Sequence, residues 1–371
     1  MKTFHCDKCG QQVFFENVRC EHCGSMLGYQ PELQEINAFA AVNETLWSSL
    51  HAANAGKLYK QCRNYAQEGI CNWMLPVESP HELCPSCRLT TTIPPLNEQN
   101  RLYWQRLETA KRRLLYTLWE LHLQPSPKWD DPQEGLAFEF LQDMPDLHVL
   151  TGHANGVITI NIAEADPAYR EQMREKLREP YRTLLGHFRH ESGHYYFDRL
   201  IVPSTWMEPF RELFGDERQD YAAGLEKNYR EGPPPHWEQY YISSYASCHP
   251  WEDWAETWAH YLHMIDTLDT AFSTGMMLRP RVPGEPELRM QAQPLNTAAF
   301  DDLMKEWFSL TYALNSLNRS VGTPDPYPFA LSPVVMQKLR FVHDVILEHH
   351  RSRQMSEAAV QGDQGDSVIP V

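Results

Sequence analysis

The sequence predicts an α+β chain, and three observations carry that expectation. Eight of its nine cysteines fall into two groups of four ahead of residue 90. Alternating apolar positions, which build a strand with one buried face, concentrate between residues 135 and 163. From residue 167 onward apolar residues recur three and four apart, the period of helices. The expected arrangement is a cysteine-stapled module over 1–95 and a larger domain over 96–352, followed by a disordered tail over 353–371. The larger domain would hold helices and a small, mostly antiparallel sheet.

Residues 1–95 are organised by their cysteines. Cys6-Asp-Lys-Cys9-Gly10 and Cys20-Glu-His-Cys23-Gly24 repeat a CxxCG turn, with ten residues between Cys9 and Cys20. Two thiolates three apart grip one ion when the chain turns tightly between them, and the following glycine takes the positive φ that the turn needs. Two such turns facing each other complete the tetrahedral four-cysteine shell of structural zinc. Cys62, Cys71, Cys84 and Cys87 contain one further CxxC pair and read as a second four-cysteine zinc site. Neither set leaves a coordination position open, so both zincs are expected to fold the module, as in a double zinc ribbon. Between the two sets, residues 36–50 read as one amphipathic helix. The two prolines in 92–97 mark a linker.

A helix is expected over 98–123, where Leu102, Leu107, Leu114, Leu115, Leu118 and Leu121 form a broad apolar stripe. Strands follow over 135–141 and 149–162. The clearest is 157–162, with Ile158, Ile160 and Ile162 on one face, and 153–162 is the candidate sheet edge. Helices over 167–177 and 182–200 form a pair. A further helix, 250–271, begins at a proline, which a first turn tolerates. The Pro- and Arg-rich stretch 275–293 reads as a surface loop. Helices over 297–317 and 333–347, the second with Ser332 as N-cap, close the domain. The tail has the Gly, Asp and Gln content of a segment unable to bury a core.

Charge removes some functions. A formal net charge of -16 argues against general nucleic-acid binding, which needs a basic surface. Residues 1–95 carry seven Lys/Arg and nine Asp/Glu, a net of -2, so the cysteine module lacks that footprint as well. No apolar run approaches the roughly 18 residues of a membrane helix, and the first residues contain no apolar signal segment. With grouped cysteines read as metal ligands rather than disulfides, the expectation is a cytoplasmic protein.

The chemistry concentrates at His190-Glu191-Ser192-Gly193-His194. Imidazoles at i and i+4 project from one helical face and can share one zinc, while Glu191 reaches a water that the ion polarises and takes its proton. A third ligand is expected downstream, in the segment Tyr245-Ala-Ser-Cys-His-Pro-Trp-Glu252-Asp-Trp-Ala-Glu256-Thr-Trp-Ala-His260. Glu252 and Glu256 share a helical face, which suits one carboxylate on the ion and one supporting a ligand histidine. Trp254 and Trp258 between them make that helix a buried one, where carboxylates want partners. Asp253 is a further ligand candidate, and Glu256 is an alternative to Glu252. His260 and His263 read as packing residues, Asp198 as a helix-surface charge and Cys248 as a small buried residue.

HESGH followed by a helix carrying ExxAE resembles the gluzincin metallopeptidases, and Tyr245-x6-Glu252-x3-Glu256 resembles the corresponding stretch of the lethal factor group. Nearly the whole chain, cysteines included, is similar to a bacterial group of zinc-binding metallopeptidases with an N-terminal zinc-ribbon domain. The resemblance implies a zincin-like fold and a protein or peptide substrate, with one catalytic and two structural zincs. By that likeness His190, His194 and Glu252 hold the catalytic zinc, Glu256 supports a ligand and Glu191 is the base. Tyr245 would be the hydrogen-bond donor to the developing oxyanion, with Tyr241 as its substitute. The likeness also implies that a substrate adds as a further strand at the sheet edge. A rival reading keeps the same zincs in a catalytically silent scaffold that recruits a protein partner.

Overall fold

The first cysteine turn sits between two short paired strands, β1 (Phe4–His5) and β2 (Gln12–Val13). The structure, a computed structural model, describes residues 1–146, 148–177, 183–297 and 299–363. A five-stranded antiparallel meander follows: β3 (Met26–Gln30), β4 (Glu35–Ala41), β5 (Trp47–Ser49), β6 (Leu58–Gln61) and β7 (Met74–Pro76). The Tyr29 N–H donates to the Asn72 carbonyl at 2.8 Å and draws the two ends of the meander together. The helix expected over 36–50 is therefore two strands and a turn. Ile36 and Ala38 pack beside Phe4, Tyr29 and Trp73, whereas Phe39 packs beside Tyr59 and Met74. That alternation has a period of two, and Asn43 Oδ1 closes the turn by accepting from the Thr45 and Leu46 N–H groups, both at 2.9 Å. One-turn helices α1 (Arg63–Ala66) and α2 (Pro85–Arg88) start directly after Cys62 and Cys84.

Strand β8 (Thr90–Thr92) leads into α3 (Glu98–Glu120), which Asn97 caps by accepting from the Asn100 N–H at 2.8 Å. This helix is buried on two sides. Leu107, Leu114, Leu115 and Leu118 join the large core, while Tyr116 and Trp119 pack into the aromatic core of the cysteine module. Leu102, placed in the apolar stripe by sequence, is exposed.

The second sheet has the order β10-β11-β9-β8, formed by β9 (Ala137–Leu141), β10 (Gly152–Ala154) and β11 (Val157–Asn161) with β8. Its pairings β11/β9 and β8/β9 are parallel, and only β10/β11 is antiparallel. The expectation of a mostly antiparallel sheet is thus corrected. Residues 90–92, counted with the cysteine module by sequence, add a strand through a helical crossover, and crossovers give parallel neighbours. The one hairpin is set by Asn155 and Gly156, both at positive φ. Among the described residues β10 forms one edge, while β11, with Ile158 and Ile160 buried, lies inside the sheet.

Helices complete the domain: α4 (Pro167–Leu177), α5 (Leu184–Tyr196), α6 (Met207–Phe214), α7 (Tyr221–Glu231), α8 (Pro250–Ser273), α9 (Pro294–Thr297), α10 (Phe300–Ser320) and α11 (Pro333–Asp363). Thr183 caps α5 by accepting from the Gly186 N–H at 2.9 Å, and α5 ends in a π-helical turn, Phe197–Ile201. Helix α8 is central, with Trp254, Trp258, Leu262, Ile265 and Leu268 all inside the core. Each such side chain stabilises the fold by about 1.5–3 kcal/mol relative to exposure. Helix α11 runs on to Asp363, so part of the tail expected to be disordered is helical. Residues 364–371 lie outside the described residues.

Candidate active site

The site begins with how closely α5 and α8 approach. A Cβ at Gly193 would stand 2.9 Å from the Ala255 Cα, so only glycine lets the two backbones meet there. Trp254 donates from Nε1 to the Gly193 carbonyl at 2.8 Å, and Trp258 donates to Ser192 Oγ at 3.1 Å. The three residues following His190 in the motif therefore include two that dock α8. The glycine and serine could have been read as a packing signal, but sequence reasoning assigned them no role.

This docking brings the first turn of α8 against the two imidazoles. His190 Nε2 and His194 Nε2 are 3.2 Å apart, and Glu252 Oε2 lies 3.0 Å from the first and 3.5 Å from the second. Zinc bonds of about 2.0–2.2 Å in a tetrahedral shell set neighbouring ligand atoms ~3.3–3.6 Å apart, so the triangle fits one zinc to within a few tenths of an ångström. The approach of Glu252 Oε2 to His190 lacks hydrogen-bond geometry, which leaves a buried carboxylate oxygen without a donor. Such an atom calls for a cation. Against burial, which raises it, the His194 and His190 imidazoles hold the Glu252 carboxyl well below the usual carboxylate range.

Around the triangle the other acids point elsewhere. Glu256 Oε1 is 2.7 Å from His190 Nδ1, and its Oε2 accepts from Ser243 Oγ at 2.5 Å. A proton on Nδ1 donated to Glu256 leaves the Nε2 lone pair free for a metal. Asp253 instead faces Lys338 of α11, a buried pair, and burial pushes its carboxyl up to about 7 with Lys338 opposing. Glu191 is buried, its Oε2 has no partner, and burial raises its carboxyl while the imidazoles pull it down.

Tyr245 opens the short 3-10 turn ahead of α8, its ring centroid 5.9 Å from that of His190. Tyr241 lies over Lys338, 4.6 Å from ring centre to Nζ, and not at the triangle. His260 meets the Tyr327 hydroxyl at 3.0 Å and His263 stacks on the Tyr327 ring, so both pack within the core. Asp198 lies in the π-helical turn, its carboxyl raised by burial, and Cys248 ends the turn before α8.

Two residues at the site carried no signal in the sequence. Tyr221, from the start of α7, donates to Glu252 Oε1 at 2.6 Å. His153, on the edge strand β10, lies parallel to His194 at 6.4 Å between centroids. Its Nε2 accepts from the Gly156 N–H at 3.0 Å, which puts the ring proton on Nδ1, and burial lowers its pKa to about 3. Neither residue belongs to a spaced motif. A tyrosine opening a helix or a histidine beside a hairpin has no periodicity to betray it.

The two cysteine sets are closed. Sγ atoms lie 3.7 Å apart for Cys6 and Cys23, 3.6 Å for Cys9 and Cys20, and 3.8 Å for Cys71 and Cys84. Tetrahedral zinc with bonds of about 2.3 Å sets its sulfurs ~3.8 Å apart. Gly10 and Gly24 have φ of 73° and 71°, as the CxxCG turns require. Cys62, Cys71, Cys84 and Cys87 are all buried, and three backbone N–H groups, of Trp73, Cys84 and Cys87, donate to their sulfurs at 3.3–3.4 Å. The Arg112 guanidinium of α3 is buried in the field of these thiols. Burial would weaken its charge, but Cys71 and Glu108 more than offset that.

Two family models match the chain. Residues 100–345 match the family described as "Putative zinc-binding metallo-peptidase", and residues 3–98 match a zinc-ribbon domain. Uncharacterized proteins of Mycobacterium bovis and of two strains of Mycobacterium tuberculosis are each 43% identical over 351 residues. The match spans 94% of this chain and 96% of each relative. No solved structure matches the chain. Among the described residues no helix is long and apolar enough to cross a membrane.

Proposed function

The chain belongs to the zinc-binding metallopeptidase family with an N-terminal zinc ribbon, and from that premise we propose that it hydrolyses peptide bonds at the His190, His194 and Glu252 site. The observation that carries the reading is the convergence of three ligand atoms within 3.0–3.5 Å, with a buried carboxylate, Glu191, whose Oε2 has no hydrogen-bond partner. Zinc held there would act as a Lewis acid and bring the pKa of water to about 7. Glu191 takes the proton of the attacking water at Oε2 and returns it to the leaving amide nitrogen. Tyr245 donates from its hydroxyl to the carbonyl oxygen as that oxygen becomes negative. Glu256 holds the His190 ring in the tautomer that presents Nε2. An extended stretch of the substrate adds to the free edge of β10, beside His153. The two four-cysteine sets hold structural zinc and catalyse nothing. Eight cysteines gathered into two metal-ligating sets suit a reducing, cytoplasmic setting.

Glu191→Gln removes the base and leaves the ligand triangle intact. Against a peptide library the variant should keep its full zinc content and lose ~10²–10⁴-fold in turnover. Cleavage at the unaltered rate with zinc retained rejects the hydrolase reading.

A further inference from the structure

Fifty-seven residues separate His194 from Glu252, and the segment between them does more than connect two helices. We propose that it delivers Tyr221 as a positioning residue, whose hydroxyl holds Glu252 Oε1 so that Oε2 alone faces the two imidazoles. This inference rests on the reading that the triangle binds zinc. A carboxylate with both oxygens free can swing to bind through the pair of them, which raises the shell to five ligands and crowds the bound water. The Tyr221 hydroxyl at 2.6 Å engages the outer oxygen and prevents the swing.

The placement of Tyr221 is fixed from several directions. Asp220 caps α7 by accepting from the Ala223 N–H at 3.0 Å. A Cβ on Gly224 would stand 2.7 Å from the Cys248 carbonyl oxygen, so α7 lies directly on the turn that begins with Tyr245. His249 Nε2 meets the Gln219 carbonyl at 3.2 Å, and the Tyr221 ring sits edge-on to His249 and Trp251 at 5.3 and 5.7 Å. The residues that aim Tyr221 are thus those that start α8 and place Glu252. Tyr221 is 37% exposed, so core packing does not require it. What the position gains is polar contact with Glu252 and with Tyr245.

The test uses the full-length protein and a zinc chelator titrated against it. Wild type should hold three zincs and release the one at the histidine pair first. Tyr221→Phe should release that zinc at a ~10–100-fold lower chelator concentration while the cysteine-bound zincs stay as they were. Gly224→Ala, which presses α7 off the turn with Tyr221 intact, should loosen the same zinc. Cobalt exchanged into that site gives a second readout. Its visible bands should be strong in wild type, as for four ligands, and weak in Tyr221→Phe, as for five. If wild type holds only two zincs, the zinc-site reading fails and this one with it. If wild type holds three and Tyr221→Phe releases the third unchanged, only the positioning role is overturned. Joint loss of the cysteine-bound zincs in Tyr221→Phe overturns it too, since that outcome marks a general folding defect.

Discussion

Glu252 and Asp253 are adjacent carboxylates on one helix, and one residue of helix rotation, about 100°, gives them different partners. Glu252 turns to the two imidazoles, and Asp253 turns to Lys338. One turn later Glu256 meets the far nitrogen of His190. Spacing in the sequence limited the third position to these three acids but could not choose among them, because the choice depends on the angle at which α8 crosses α5. Tyr221 was beyond sequence reasoning because its contact with Glu252 spans 31 residues and belongs to no spaced motif. Histidines illustrate the same limit. His343 belongs to no motif in the sequence, yet it is buried against the Tyr261 hydroxyl at 2.8 Å, and burial lowers its pKa to about 4. An unfolded histidine titrates near ~6.5, so between pH 4 and 6.5 the unfolded chain binds the extra proton. Stability therefore rises with pH across that window and is lost on acidification, by up to ~3 kcal/mol from this group. Thermal melts from pH 6.5 down to 4 should show a shallower fall for His343→Gln than for wild type. Equal slopes would contradict the assignment.

At the scale of elements, the pairing of α5 with α8 sets the site, and Gly193 sets the pairing. Gly193→Ala must push Ala255 away, an overpacking that costs about 1–3 kcal/mol. Because the displaced turn carries Glu252, the variant should lose stability and bind the third zinc more weakly. A melting temperature and zinc content equal to wild type would show that the helices have room to spare. The helices with long apolar stripes, α3, α8 and α10, were legible from periodicity alone. The segment 36–50 was not, since its apolar residues serve two small cores on opposite strand faces. The direction of the sheet was hidden as well. Strand β8 is three residues long and is separated from its partner β9 along the chain by the whole of α3, and no local pattern reports such a pairing.

At the scale of the whole molecule, the cysteine module and the metallopeptidase domain share structure. Helix α3 gives Tyr116 and Trp119 to the module and its leucines to the domain, and Arg112 reaches the second cysteine set from the same helix. Strand β8, two residues after the α2 turn that carries Cys87, is an edge of the domain's sheet. Sequence reasoning separated the two parts by composition, which is real, but composition does not show a helix buried on two sides. On the proposed reading, zinc in the two cysteine sets would brace the frame on which α5 stands, and a third zinc at the imidazole pair would serve the chemistry. The most direct test of that claim is metal content per chain, measured by elemental analysis on wild type and on the His190→Ala, His194→Ala double variant. Three ions in wild type and two in the folded variant are predicted, one for each ligand group. Two ions in both proteins would contradict the account and leave the imidazole pair without a metal to share.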